Sequence, residues 1–216
     1  MKLFCEVCCP SLEAVARAVA AGADRIELCE RLEVGGVMPS EDLIREALVV
    51  AGDVPVNVLI RPREGDFVYD EEEAAQMLAS IATCKRLGVN GVVIGALRPD
   101  GSVDMAMMHR LMDAAKCPDD LGYSARPLSI TFHRAIDECR DIFTALEDII
   151  SLGIDRILTS GHCADAWEGR FVLKELVARA AGRIVIMPGC GITPANLPEI
   201  AALTAAAEFH GSRILG

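Results

Sequence analysis

Three short segments of this chain are variants of one device, and they constrain the fold more than anything else in it. Ala21-Gly22-Ala23-Asp24-Arg25-Ile26, Leu87-Gly88-Val89-Asn90-Gly91-Val92 and Leu152-Gly153-Ile154-Asp155-Arg156-Ile157 each run from a helix stop through a turn into a strand. The glycine ends the helix because it takes the left-handed C-cap conformation without a Cβ clash. The apolar run behind it opens a strand. Copies of this junction, with no linker or low-complexity stretch between them, read as repeated (βα) units. They imply a parallel sheet in a single domain spanning residues 1–216.

Strand-like runs fall at 3–8, 25–29, 55–61, 91–97, 128–134, 156–160, 183–187 and 207–212. Amphipathic segments lie between them, such as 71–87, with Ala74, Ala75, Met77, Leu78 and Ile81 on one face. Helix starts are marked by Ser11, by Ser40, and by Asp70 with Glu73 three residues on, a capping-box spacing. Strand count alone does not separate a closed barrel from an open doubly wound sheet. Side-chain parity does. Strands covered by helices on both faces read as continuous apolar runs. Here Glu27 and Cys29 alternate with Ile26 and Leu28, Asn57, Leu59 and Arg61 with Val56, Val58 and Ile60, Thr131 and His133 with Ile130 and Phe132, and Glu208, His210 and Ser212 with Ala207, Phe209 and Gly211. Apolar residues facing helices and polar ones facing a shared lumen define an α/β fold of the TIM type, a (β/α)8 barrel of parallel strands.

The chain ends at Gly216, just after the eighth strand-like run, so the final helix of such a barrel is expected to be missing. A second copy is expected to cover the apolar edge this leaves, giving a homo-oligomer. A formal net charge of -11 disfavours nucleic acid and anionic membrane as partners and leaves a small molecule or an ion. No apolar h-region follows Met1-Lys2-Leu3-Phe4-Cys5-Glu6, and no run is long enough to span a bilayer. Nine cysteines, an odd number, read as reduced thiols in a cytoplasm.

Parity projects Glu6, Glu27, Arg61, His133, Ser160, His210 and Ser212 toward the upper lumen, where a barrel assembles its site. Two carboxylates, two imidazoles and a guanidinium suit acid–base catalysis on an anionic or carbonyl substrate, so Glu6, Glu27, Arg61, His133 and His210 are the catalytic candidates. The competing reading is a closed salt-bridge network in which Arg61 neutralises Glu27. Arg63, Arg134, Ser160 and Ser212 are candidates for holding the anion. The alternative for Arg63 is pairing with Glu64 or Asp66.

Cys5-Glu6-Val7-Cys8 has C-x-x-C spacing, but on a strand its two thiols face opposite sides, which excludes a zinc knuckle. Cys8, Cys9, Cys29, Cys139, Cys163 and Cys190 fall at or beyond strand ends on the site side. Such a thiol-rich mouth suits Cu(I), with Cys8, Cys9 and Cys29 as candidate ligands. The same residues also serve as small apolar fillers.

Several blocks together resemble the CutC family: Glu6-Val7-Cys8, Gly22 to Cys29, Gly35-Gly36 leading to Pro39-Ser40, Ile60-Arg61-Pro62-Arg63 with Gly65-Asp66-Phe67 and Tyr69, Gly91 to Leu97, Thr131 to Ala135 with Asp137, Ile157 to Gly161, and Glu208 with His210 and Ser212. The resemblance covers nearly the whole chain. It implies a cytoplasmic, often oligomeric TIM-type barrel named for copper homeostasis and described as copper-binding. Met38 stands where the family usually has Thr, Cys190 where it usually has a small residue, and family members usually run past this C-terminus. Two functions therefore stay open: a copper-binding homeostasis protein, as the resemblance implies, and an enzyme acting on a small anionic metabolite, which the residues taken alone prefer.

Overall fold

The computed structural model describes residues 3–117 and 127–216; the opening Met1 and Lys2 lie outside them. Strands and helices alternate along the chain: β1 (Phe4–Cys9), α1 (Leu12–Ala20), β2 (Arg25–Leu28), α2 (Glu41–Ala51), β3 (Val56–Leu59), α3 (Glu71–Leu87), β4 (Gly91–Ile94) and α4 (Met105–Lys116). Then come β5 (Ser129–Phe132), α5 (Ile142–Ser151), β6 (Arg156–Thr159), α6 (Arg170–Ala180), β7 (Val185–Pro188), α7 (Leu197–Thr204) and β8 (Glu208–Gly211). All ladders are parallel, in the order β7-β6-β5-β4-β3-β2-β1-β8. The result is a nearly closed (β/α)8 barrel, whose seam lies between β7 and β8.

The repeated junction shows what its polar residue is for. Asp24, Asn90 and Asp155 each accept the N–H at the start of the preceding odd strand, from Cys5 (3.0 Å), Val56 (2.8 Å) and Ile130 (2.7 Å). Each returns its own N–H to the carbonyl of that same residue. One side chain thus fixes the stagger of β1 on β2, β3 on β4 and β5 on β6. At the entry to β8 the equivalent position is Ala207, which has no such acceptor, and β7 and β8 form no ladder among the described residues. The seam lies where the device is absent.

The helix starts follow their caps. The Ser11 and Ser40 hydroxyls accept from Ala14 and Leu43, and Asp70 with Glu73 forms a complete capping box. The apolar outward set, including Val7, Ile26, Leu28, Val58, Ile94, Phe132 and Phe209, packs beneath the helices as the main core. A smaller apolar cluster of Cys8, Cys29, Leu59 and Val93 sits inside the lumen.

Most strands are shorter than the apolar runs suggested. Arg61, Leu97, His133, Ser160 and Ser212 lie past the last ladder residue of their strands. Barrel strands diverge toward the mouth, so the residues that reach a site leave the hydrogen-bonded ladder first. β1 and β7 each end one residue further along than expected, at Cys9 and Pro188.

Candidate functional site

The inward side chains build upward from a salt-linked floor. Arg25 reaches Glu208 at 2.7 Å and also pairs with Glu6, while Arg156 lies 3.4 Å from Glu208 and donates to Ser129. Glu6 is fully buried in this layer and does not line the cavity above. Burial alone would raise its carboxyl; the His210 hydrogen bond and the Arg25 charge overcome that and hold it at about 2. Glu6 is therefore an anion that orients His210, whose Nδ1 lies 2.8 Å from Glu6 Oε1. The other imidazole nitrogen of His210 lies 3.8 Å from Glu27 Oε1. Burial works against charging His210, but the Glu27 and Glu6 carboxylates outweigh it and raise its pKa.

Above the floor, a cavity of about 670 Å³ opens at the C-terminal ends of the strands. Glu27, Arg61, His133 and His210 share it, with Cys8, Arg134 and Ser212. Glu27 is desolvated and faces the negative Glu6, so its pKa is raised; Oε1 meets the Cys8 thiol at 3.6 Å and Oε2 has no hydrogen-bond partner among the described residues. His133 caps the turn Arg134–Glu138, accepting the Ala135 N–H on Nδ1 at 3.1 Å. With Nδ1 an acceptor, the proton of the neutral ring sits on Nε2, which has no hydrogen-bond partner among the described residues. Burial and the nearby Arg61 charge push the His133 pKa down to about 3, so the ring is neutral at physiological pH. Gly95 makes this placement possible: a Cβ there would lie 2.6 Å from His133 Cε1.

Arg61 does not neutralise Glu27. Its Nη1 donates to the carbonyls of Val34 and Gly36, each at 3.1 Å, and its Nη2 to that of Gly65 at 2.6 Å. Among the described residues no carboxylate forms an ion pair with it. Arg61 and His133 both pack on Phe67, at 4.7 and 4.8 Å from the ring centroid. Glu27, Arg61 and His133 expose only 5%, 6% and 4% of their surface, so each polar group left without a partner is a desolvated one.

Other candidates are placed differently. Arg63 turns away from the cavity to pair with Glu73 and Asp66 (3.0 Å), which corrects its assignment as an anion clamp. Cys9 is still on β1, so parity turns it out against the helices, where its thiol is pushed up to about 12, chiefly by burial. That removes it from any ligand set in the mouth. Ser160 lies behind the wall, accepting from Arg134 at 3.1 Å, while Ser212 is on the cavity rim.

Asp137, which the parity argument did not reach, organises this side. It accepts from Arg134 Nε at 3.0 Å, from the Ser160 N–H and from the His162 N–H at 3.0 Å. The three-residue spacing of Arg134 and Asp137 in a tight turn was the available signal. Cys8 and Cys29 lie with sulfurs 3.6 Å apart, and ligand atoms of Cys8, Glu27 and His210 all fall within 4.8 Å of one another.

This architecture, a TIM-type barrel with a buried charged cavity at its strand ends, is the class of protein that fold and site define. The chain belongs to the CutC family, whose model matches residues 3–215. It is 49% identical over 212 residues to a CutC family protein of Parabacteroides distasonis, covering 98% of this chain and 83% of that protein. A CutC family protein of Bacteroides fragilis is 45% identical, with 96% of this chain and 78% of that protein covered. A solved Streptococcus agalactiae structure, described as a copper homeostasis protein CutC, superposes with a TM-score of 0.89 at 32% identity, covering 99% of this chain and 100% of that one. A 2,3-dimethylmalate lyase shares the fold alone, with a TM-score of 0.67 at 12% identity over 98% of this chain and 76% of that one.

Proposed function

We propose that this protein is an enzyme that binds a small anionic metabolite in the barrel mouth and acts on it by acid–base chemistry. One observation carries the reading: Arg61 is a buried cation on the cavity wall, and among the described residues no carboxylate forms an ion pair with it, Asp66 acting on it only at longer range. A desolvated charge is costly unless paired, and an anionic ligand supplies the missing partner. Around it stand the groups that acid–base chemistry needs. Glu27 is a carboxyl whose pKa is raised, chiefly by burial, and His133 is a neutral N–H donor. The test is thermal shift against small carboxylates and phosphates. An anion is expected to stabilise the wild type and to lose that effect in Arg61→Met; equal stabilisation of both would remove the reading.

A second reading, Cu(I) binding, is favoured by the Cys8–Cys29 sulfur pair and by the description of the Streptococcus relative. The donors fit a soft ion: Cys8 and Cys29 as thiolates, His210 as imidazole, and Glu6 behind His210 as the outer carboxylate. The Cys8 thiol is raised well above its ordinary value by Cys29, burial and Glu27, so copper would have to displace a strongly held proton. Nine free cysteines suit a reducing, cytoplasmic setting for either activity. No helix among the described residues is long and apolar enough to cross a membrane.

A further inference from the structure

We propose that the substrate is a 2-oxo acid, and that Glu27 removes a proton from its C3 while His133 Nε2–H and Arg61 stabilise the enolate. The inference rests on the enzymatic reading above and adds a reaction class to it.

Three buried groups lining one cavity have complementary roles. His133 is locked as the Nε2–H tautomer by the Ala135 N–H. A neutral imidazole donates to a carbonyl oxygen that becomes an oxyanion without first giving up its proton. Arg61 brings full positive charge beside it. Both pack on the single ring of Phe67. The Arg61 charge also reaches the His133 ring, so a ligand with its anionic group and its carbonyl on adjacent carbons, as in a 2-oxo acid, suits the two together. In a phosphorylated ketone the anionic group lies several bonds from the carbonyl. The acceptor for the proton is the Glu27 carboxylate, whose buried Oε2 has no hydrogen-bond partner among the described residues, while Oε1 is held by the Cys8 thiol. His210, oriented by Glu6, stands behind that carboxylate.

The step balances without a co-reactant. Glu27 takes the C3 proton, the C–H pair becomes the C2–C3 double bond, and the carbonyl π pair moves to oxygen under His133 and Arg61. Return of the proton regenerates the 2-oxo acid. In D2O the returned hydrogen is deuterium, so turnover is visible even when the partner reaction is unknown.

The experiment uses the full chain in D2O with pyruvate and 2-oxobutanoate, following loss of C3 proton signals by NMR. Oxalate, a planar mimic of the enolate, is titrated in parallel by calorimetry. Exchange above that of heat-denatured protein is expected, falling about 100-fold or more in Glu27→Gln. That variant should still bind oxalate, which shows that it is folded. Oxalate binding should weaken at least about tenfold in His133→Asn. Exchange that survives Glu27→Gln overturns the proposal. Oxalate binding with no exchange of either acid overturns it while leaving the anion-binding reading intact. Neither binding nor exchange removes both.

Discussion

Oε1 of Glu6 lies 2.8 Å from Nδ1 of His210, beneath the cavity floor and out of reach of any ligand in it. The pair joins the salt-linked base of the barrel to its mouth. Glu6 also pairs with Arg25, so one buried carboxylate meets two cationic groups.

Glu6→Gln is therefore expected to destabilise the protein by about 3 to 5 kcal/mol, because it leaves Arg25 and His210 buried with less compensation. Urea denaturation checks the stability. NMR titration checks the second consequence, a lower His210 pKa in the variant.

His133 sets a pH dependence of known sign. Its folded pKa is about 3 against an ordinary 6.5. Between these values the unfolded chain binds a proton that the folded chain refuses, so wild-type stability falls as pH falls through that window, by about 1.4 kcal/mol per pH unit. Above the window His133 adds no slope. His210, with its raised pKa, acts in the opposite sense at higher pH, but equally in both chains when wild type is compared with His133→Asn. Denaturation of both at pH 7 and pH 5 should show wild type losing about 2 kcal/mol more than the variant.

Gly95→Ala tests the placement of the ring without touching a polar group. The added Cβ would approach His133 Nδ1 to 2.7 Å, closer than real side chains tolerate. The imidazole must move off the Ala135 N–H. Anion binding is expected to weaken at least about tenfold, the scale of one lost hydrogen bond to a charged ligand. Calorimetry gives the affinity, and the His133 ring resonances report the displacement.

For copper, the expected pattern separates two adjacent cysteines. Cys8→Ser and Cys29→Ser should each weaken Cu(I) capture against a competing chelator, because their sulfurs share one site. Cys9→Ser should leave it unchanged, since Cys9 faces the helices. Equal loss from all three, or from none, would remove the copper site described here.

The sequence by itself determined the barrel. Periodicity, caps and the Gly-x-Asp/Asn junction are local properties, and each maps onto one element or one strand pairing. Alternation also carried Glu27, Arg61, His133 and His210 into one lumen, because on a strand parity is geometry. The same rule, applied one residue further along β1, separates Cys9 from Cys8.

What only the tertiary structure decided is which charge meets which. Arg61 stands in the chain among carboxylates, at Glu64 and Asp66, yet its guanidinium is held by the carbonyls of Val34, Gly36 and Gly65. Arg63, two residues on, takes Asp66 and Glu73 instead. Nothing in residue spacing distinguishes these outcomes, since long flexible side chains find their partners only after loops from different strands converge. Burial then sets the chemistry: the same desolvation that lowers His133 raises Glu27, because the penalty falls on whichever form is charged.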